Sequence, residues 1–120
     1  MYDLKIKRIY EQADATDGYR ILIDRLWPRG ISKDAAALDE WAKEVSPTSA
    51  LRIWFGHKEE NFDEFKKCYE AELSDNPAAA TFACHCTELL RKTDVTLVYG
   101  ARSQTCNHAV ILRDWIKNRE

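Results

Sequence analysis

The segment from residue 17 to residue 30, DGYRILIDRLWPRG, most constrains what this chain can fold into. Residues 21–23, ILI, are typical of a buried strand, which we predict to run from about Tyr19 to Arg25. Four groups that core packing does not require follow at its end, namely a carboxylate, two guanidinium groups and an indole: Asp24, Arg25, Arg29 and Trp27. Ligands of open α/β sheets usually bind at the carboxyl ends of the strands. The segment therefore predicts a site at the end of this strand.

The composition is that of an ordinary soluble domain. The chain has 120 residues, 45% of them apolar and 32% charged, which suits one domain over residues 1–120. Its 18 Lys and Arg are interspersed with 20 Asp and Glu, so nucleic-acid binding is possible but not favoured. The sequence has no apolar stretch of transmembrane length, and its start, MYDLKIKR, lacks a signal-peptide core. We therefore expect a cytoplasmic protein without a membrane partner.

Three β-rich runs alternate with helical patterns along the chain. We predict strands over residues 3–10, 19–25 and 95–99, and helices over residues 33–45, 47–55, 60–74, 77–92 and 108–117. Strands separated by helices imply a small, largely parallel sheet of about three strands that is covered by helices. The predicted fold class is a single layered α/β domain.

The predictions of two of these helices depend on less regular sequence patterns. Apolar residues at 38, 41, 42 and 45 share one helical face, which favours a single helix over residues 33–45, although a break near Ala37 would leave only a short turn. Ser46 followed by Pro47 is typical of a helix start, because proline lacks only an amide hydrogen that would be unpaired there. We expect three residues of this second helix to face inward: Leu51, Trp54 and Phe55.

The charged groups after the second strand have two interpretations. Arg25 and Arg29 offer planar, permanently charged groups that suit phosphate or carboxylate, and Asp24 could orient one of them or act as a base. They could equally form a structural salt bridge between the strand end and a helix. Trp27 is either a stacking surface for a planar ligand or a lid on the core.

The exit of the third strand repeats this arrangement. Arg102, Asn107 and His108 lie between a strand end and a helix start, where exposed backbone amides favour an anion. His108 precedes Ile111 and Leu112 by three and four residues, so it should face the sheet end as an acid or base, or else satisfy a backbone carbonyl. If the second and third strands are parallel neighbours, both clusters open on one edge of the sheet and share one pocket.

The remaining histidines and cysteines suggest no metal site. His57 follows Gly56 at a helix end and suits a C-terminal cap better than an acid or base. Cys84 and Cys86 are about 200° apart around a helix of 3.6 residues per turn, so they cannot face one ion. Cys106 could be a nucleophile near a helix start, although a loop thiol is the simpler interpretation. We expect no metal and find no cofactor motif.

Four segments together resemble the YeaO-like family of small uncharacterised bacterial proteins: DGYRILIDRLWPRGISKDAAALDEW, LRIWFGH, VTLVYGAR and NHAVILR. The resemblance implies a cytoplasmic α/β domain and brings no established activity, substrate or catalytic residue. The family pattern carries over onto Asp24, Arg25, Trp27, Pro28, Arg29, Gly30, Trp54, His57, Asn107 and His108. The CHC sequence at 84–86 departs from that pattern.

Our leading functional hypothesis is an enzyme or small-molecule binder with an anionic ligand at the strand ends. Asp24 and His108 are the acid–base candidates. The candidate ligand-binding residues are Arg25, Trp27, Arg29, Arg102 and Asn107. The alternative is a non-catalytic module that binds nucleic acid or a protein partner through the same arginines and Trp27.

Overall fold

A computed structural model describes residues 2–119 of the chain. It contains four strands, β1 (Leu4–Arg8), β2 (Tyr19–Leu22), β3 (Glu40–Trp41) and β4 (Val95–Tyr99). Its helices are α1 (Lys33–Ala36), α2 (Ser49–Phe55), α3 (Phe62–Asp75), α4 (Pro77–Leu89) and α5 (His108–Lys117). Three short 3-10 turns lie at Ala15–Asp17, Lys43–Val45 and Glu59–Asn61.

The sheet is parallel throughout and has the order β1-β4-β2-β3. Ile21 pairs with Leu97 across the centre and with Glu40 at the edge. The prediction of a small parallel sheet in one α/β domain is confirmed, although the sheet has four strands rather than about three. Strand β3 was not predicted, because a strand of two residues carries no period of its own.

The sheet divides the core into two layers. Ile21, Ile23 and Leu97 belong to the larger cluster, which includes residues of α2, α3, α4 and α5. Leu22 and Val98 belong to a smaller one on the other side, with Ala36 of α1. This division follows from the pleat, because successive side chains of a strand point to opposite faces.

The predicted single helix over residues 33–45 is wrong. Helix α1 begins after Ser32, whose Oγ accepts from the amide of Ala35, and ends at Ala37, whose φ is 48°. The chain then pairs with β2 as β3, and the amide of Ala42 donates to the carbonyl of Leu22. Sheet pairing therefore overrides the helical pattern of the apolar residues after Ala37.

The second helix also differs from its prediction. Thr48 caps α2 by accepting from the amide of Leu51, whereas the hydroxyl of Ser46 donates to the carbonyl of Ile23. Trp54, expected to face inward, is 49% exposed, while Phe55 is buried. Only Leu51 and Phe55, which are four residues apart and lie one above the other on the helix, reach the core.

Candidate functional site

Asp24 lies two residues after the last residue of β2 and is held by both neighbouring strands. Its Oδ2 accepts from the amide of Gly100, which directly follows β4, at 2.9 Å. Its backbone carbonyl accepts from Nε1 of Trp41 in β3 at 2.7 Å. The carboxylate is thus fixed at the C-terminal edge of the sheet by contacts that the parallel topology creates.

His108, the first residue of α5, faces this carboxylate. Its Nε2 lies 3.0 Å from Oδ1 of Asp24, and the side chains are 15% and 19% exposed. The ring N–H is not aligned well enough for a hydrogen bond, and neither atom has another hydrogen-bond partner among the described residues. The imidazole also contacts the ring of Tyr69 edge-on, with centroids 6.5 Å apart. The two groups lie at the distance of a carboxylate–imidazole pair of the kind used in acid–base chemistry.

Tyr69 supports this pair from the core. Its hydroxyl donates to the carbonyl of Val45 at 2.6 Å. Burial raises the pKa of Tyr69 above its usual range, and the carboxylates of Glu72 and Asp24 act in the same direction. The phenol therefore keeps its proton and its hydrogen bond to Val45, while its ring packs against that of His108.

A cleft of about 950 Å³ opens at this edge of the sheet. Its walls come from the loop after β2, the helix α2 and the loop after β4. Phe55 and Phe65 line it from the core side, with stacked rings whose centroids are 4.2 Å apart. Clefts of this volume are typical of small-molecule sites.

Four arginines and two histidines line the cleft, against two carboxylates: Arg25, Arg29, Arg52, Arg102, His57 and His108, with Asp24 and Glu59. The formal net charge of the whole chain is -2. The cleft therefore concentrates positive charge on a molecule that is negative overall.

The match of a protein-family model to residues 3–120 gives the chain its family. This family is described as the inactive DUF488-N3 subclade. The uncharacterized protein YeaO of Escherichia coli K12 is 40% identical over 116 residues, which are 97% of this chain and 98% of that protein. The chain belongs to the YeaO-like family.

Two further relatives of this YeaO-like chain are uncharacterized proteins of Mycobacterium bovis and Mycobacterium tuberculosis. Each is 38% identical over 97% of this chain and 95% of its own length. No solved structure matches the chain. Among the described residues of this YeaO-like protein, no helix is long and apolar enough to cross a membrane.

Six of the seven residues predicted for the site line the cleft: Asp24, Arg25, Trp27, Arg29, Arg102 and His108. Their ligand-binding or catalytic roles stay predictions. Asn107 does not line it. Its Nδ2 donates to the carbonyl of Ser103, and its Oδ1 accepts from the amide of Val110 as the cap of α5. Both polar groups of Asn107 are engaged, so its position does not favour direct ligand binding.

Arg25 and Trp27 are partly committed to the fold. The guanidinium of Arg25 donates to the backbone carbonyls of Ser46 and Pro47 at 3.2–3.3 Å, an arrangement that differs from the expected salt bridge. Nε1 of Trp27 donates to the carbonyl of Ile31 at 2.7 Å. Its ring packs at 71° against that of Trp41. Each side chain has a structural contact and still borders the cleft of this YeaO-like protein.

Arg52 and His57 were not among the predicted site residues, yet both line the cleft. Arg52 sits on α2, far in sequence from either strand end, and a charge on a short helix gives no signal of its own. The amide of Gly56 closes α2 by donating to the carbonyl of Arg52. His57, expected as the cap, follows it with a φ of 58°.

No metal site is visible in the part of this YeaO-like chain that the structure describes. Within residues 2–119, no three His, Cys, Asp or Glu side chains are grouped closely enough to hold an ion. Cys84 is exposed and Cys86 buried, on different sides of α4. The positions of these two thiols agree with the helical geometry predicted from their spacing.

Proposed function

We propose that the cleft binds a small ligand through a phosphate or carboxylate group. The observation that carries the proposal is that three of the cleft arginines are exposed and have no ion-pair partner in the described part of the chain. Arg29, Arg52 and Arg102 are exposed, and none forms an ion pair with another residue in the range 2–119. Guanidinium groups suit bidentate recognition of phosphate and carboxylate.

The buried Arg20 shows what a structural arginine looks like in this protein. Its Nη1 lies 2.6 Å from Oδ2 of Asp17, and it donates to the carbonyl of Ala36 through Nε and Nη2. Arg29, Arg52 and Arg102 have no comparable side-chain partners among residues 2–119. Because they line one cleft from three segments, an anion bound in the cleft offsets several positive charges at once.

Binding is favoured over catalysis as the function of this site. Asp24 and His108 have the proximity of an acid–base pair, and a catalytic role for them stays a prediction. The description of the family as an inactive subclade supports a protein that holds its ligand without converting it. The binding proposal needs the arginines alone, so it stands whether or not the pair transfers a proton.

Isothermal titration calorimetry with pyrophosphate and citrate at low salt tests this proposal. We expect Arg29→Ala and Arg102→Ala each to weaken binding about 10-fold, since a charge-assisted hydrogen bond contributes on the order of 1.5–3 kcal/mol. Arg91→Ala is the matched control, because Arg91 pairs with Glu88 and lies outside the cleft.

The proposal is overturned if neither pyrophosphate nor citrate binds at millimolar concentrations. It is also overturned if Arg91→Ala weakens anion binding as much as Arg29→Ala and Arg102→Ala do. Titration with a generic DNA duplex tests the alternative function, a module that binds nucleic acid. Tight DNA binding with a steep dependence on salt would favour a nucleic-acid-binding module. Weak, nonspecific DNA binding beside saturable anion binding supports a small-molecule site.

A further inference from the structure

Large exposed apolar and aromatic side chains gather at the same cleft. Within residues 2–119, five such side chains are strongly exposed: Tyr2, Tyr10, Leu26, Ile53 and Trp54. Three of the five line the cleft, and their exposed fractions are 43% for Tyr10, 66% for Leu26 and 80% for Ile53. Apolar surface exposed around a concave site is typical of a place that a ligand or partner covers.

The apolar groups alternate with the basic ones on both walls. On one wall Leu26 directly follows Arg25, and on the other Ile53 directly follows Arg52. All four residues face one space, although about 27 positions of sequence separate the two pairs. A ligand that meets both walls must therefore present an anionic part and an apolar part.

Trp27 adds a rigid aromatic surface to this space. Its hydrogen bond to the carbonyl of Ile31 and its edge-on contact with Trp41 fix the indole in place. Rigid aromatic side chains bind ligand rings with little loss of conformational freedom. A bare inorganic ion would leave most of a cleft of about 950 Å³ unfilled.

We propose that the ligand is an organic anion that carries both a phosphate or carboxylate group and an aromatic ring system, as nucleotides and aryl phosphates do. This inference rests on the proposed function, because the anionic group is assigned to the same arginines. The ring lies between Leu26 and Ile53 and contacts Trp27. Covering these side chains removes apolar surface from water in addition to neutralising the arginines.

Two matched pairs of compounds test the ring separately from the anion. Phenyl phosphate is compared with methyl phosphate, and adenosine monophosphate with ribose 5-phosphate, by calorimetry at constant ionic strength. We expect the aromatic member of at least one pair to bind about 10-fold more tightly, because binding removes the apolar surface of the ring from water. Such a gain in either pair supports the inference.

The outcomes separate this inference from the proposed function. If both members of each pair bind with equal affinity, the aromatic ligand class is overturned and anion binding stands. If no compound binds, the proposed function fails, and the inference fails with it. Binding of the aromatic phosphates alone supports both only when phenol and adenosine, which lack the phosphate, do not bind; equal binding of phenol or adenosine overturns both.

Two adjacent residues of α2 supply a matched pair of variants. Ile53→Ser should remove most of the gain for phenyl phosphate while leaving the affinity for methyl phosphate unchanged. Trp54→Ser should change neither affinity, because Trp54 is 49% exposed but does not line the cleft. An equal loss in both variants, or no loss for Ile53→Ser, would overturn the assignment of Ile53 to the ligand ring.

Discussion

Arg20 and Arg29 carry the same guanidinium group in opposite surroundings. Arg20 is 4% exposed and pairs with Asp17, whereas Arg29 lies in an exposed turn and lines the cleft. At the scale of the residue, the surroundings and not the side-chain type decide between a structural and a binding role. In the sequence, Arg20 falls inside the predicted strand, whereas Arg29 follows Pro28 beyond the strand end, and only the second position predicts a binding role.

Stability should separate the two arginines. Arg29→Ala should leave the melting temperature within a few degrees, because an exposed unpaired charge contributes little to folding. Arg20→Ala should cost about 3 kcal/mol or more, because it leaves the carboxylate of Asp17 buried without its closest partner. Thermal and urea unfolding of both variants measure this, and a large loss for Arg29→Ala would show that Arg29 belongs to the fold.

The thiols of α4 give a second contrast between residues. Burial raises the pKa of Cys86 to about 12, and the carboxylate of Glu40 acts in the same direction. Because the thiolate is the reactive form, Cys86 should resist a disulfide-exchange reagent at pH 8 until the protein unfolds, while Cys84 reacts in the native state. Cys86→Ser should cost about 1–3 kcal/mol and Cys84→Ser almost nothing. Rapid native labelling of Cys86, located by peptide mass analysis, would contradict this account.

Much of the site could be predicted at the residue scale, and the misses have physical causes. Strand ends followed by charged residues predict a site, and six of the seven chosen residues border the cleft. Asn107 also matched the pattern of a helix cap, and that role engages both of its polar groups. Arg25 donates to carbonyls about 21 positions away, and a contact across such a distance leaves no trace in local sequence.

At the scale of the element, α2 shows how one apolar pattern allows two orientations. Trp54 and Phe55 are adjacent aromatic residues, and only Phe55 is buried, stacked on Phe65. Phe55→Ala should cost about 3–5 kcal/mol, because it opens a cavity in the core. Trp54→Ala should cost less than about 1 kcal/mol. Urea unfolding of both variants tests this, and comparable losses would mean that Trp54 packs against the core.

The segment over residues 33–45 shows the limit of helical periodicity as a predictor. Its apolar residues repeat as in a helix, yet Ala37 adopts a left-handed conformation and the chain continues as an edge strand. The longer helices α3, α4 and α5 agree with their patterns to within a few residues. The apolar stripe in residues 33–45 covers only positions 38 to 45, and this short pattern yields to the pairing of Glu40 and Trp41 with β2.

Asp17 links the first 3-10 turn to two strands and should make the fold sensitive to acid. Burial raises the pKa of Asp17, but hydrogen bonds from the amide of Asp14 and the side chains of Lys7 and Arg20 outweigh it, so the pKa lies below 3.8. A carboxyl group whose pKa is lower in the folded state stabilises the fold above its unfolded pKa. This stabilisation is lost as the pH falls through the folded value.

The free energy of unfolding should therefore decrease as the pH is lowered below about 4. Asp17→Asn should flatten this dependence and cost about 3 kcal/mol at pH 7, because it leaves the charge of Arg20 buried without a carboxylate. Urea unfolding between pH 3 and 7 provides the measurement. A parallel pH dependence in the variant and the unmodified protein would show that other groups cause the acid sensitivity.

At the scale of the whole molecule, the parallel pairing of β2 with β4 creates the cleft. It brings the loop that contains Arg29 and the loop that contains Arg102 to the same edge, although 73 positions separate them in sequence. The alternation of strands and helices was enough to predict this arrangement. The third wall, from α2, was not predicted, because the packing of this short helix against α3, as in the stacking of Phe55 on Phe65, depends on contacts that no local pattern reveals.

Nuclear magnetic resonance tests the central claim most directly, because it detects anion binding and locates it in one experiment. Pyrophosphate is added to ¹⁵N-labelled protein, and backbone amide and arginine Nε resonances are followed. We predict saturable shifts at Arg29, Arg52, Arg102 and the amides from Gly100 to His108, with little change at Arg91 or Arg119. Shifts spread over all exposed cations, or confined to residues outside the cleft, would contradict an anion site at the strand ends.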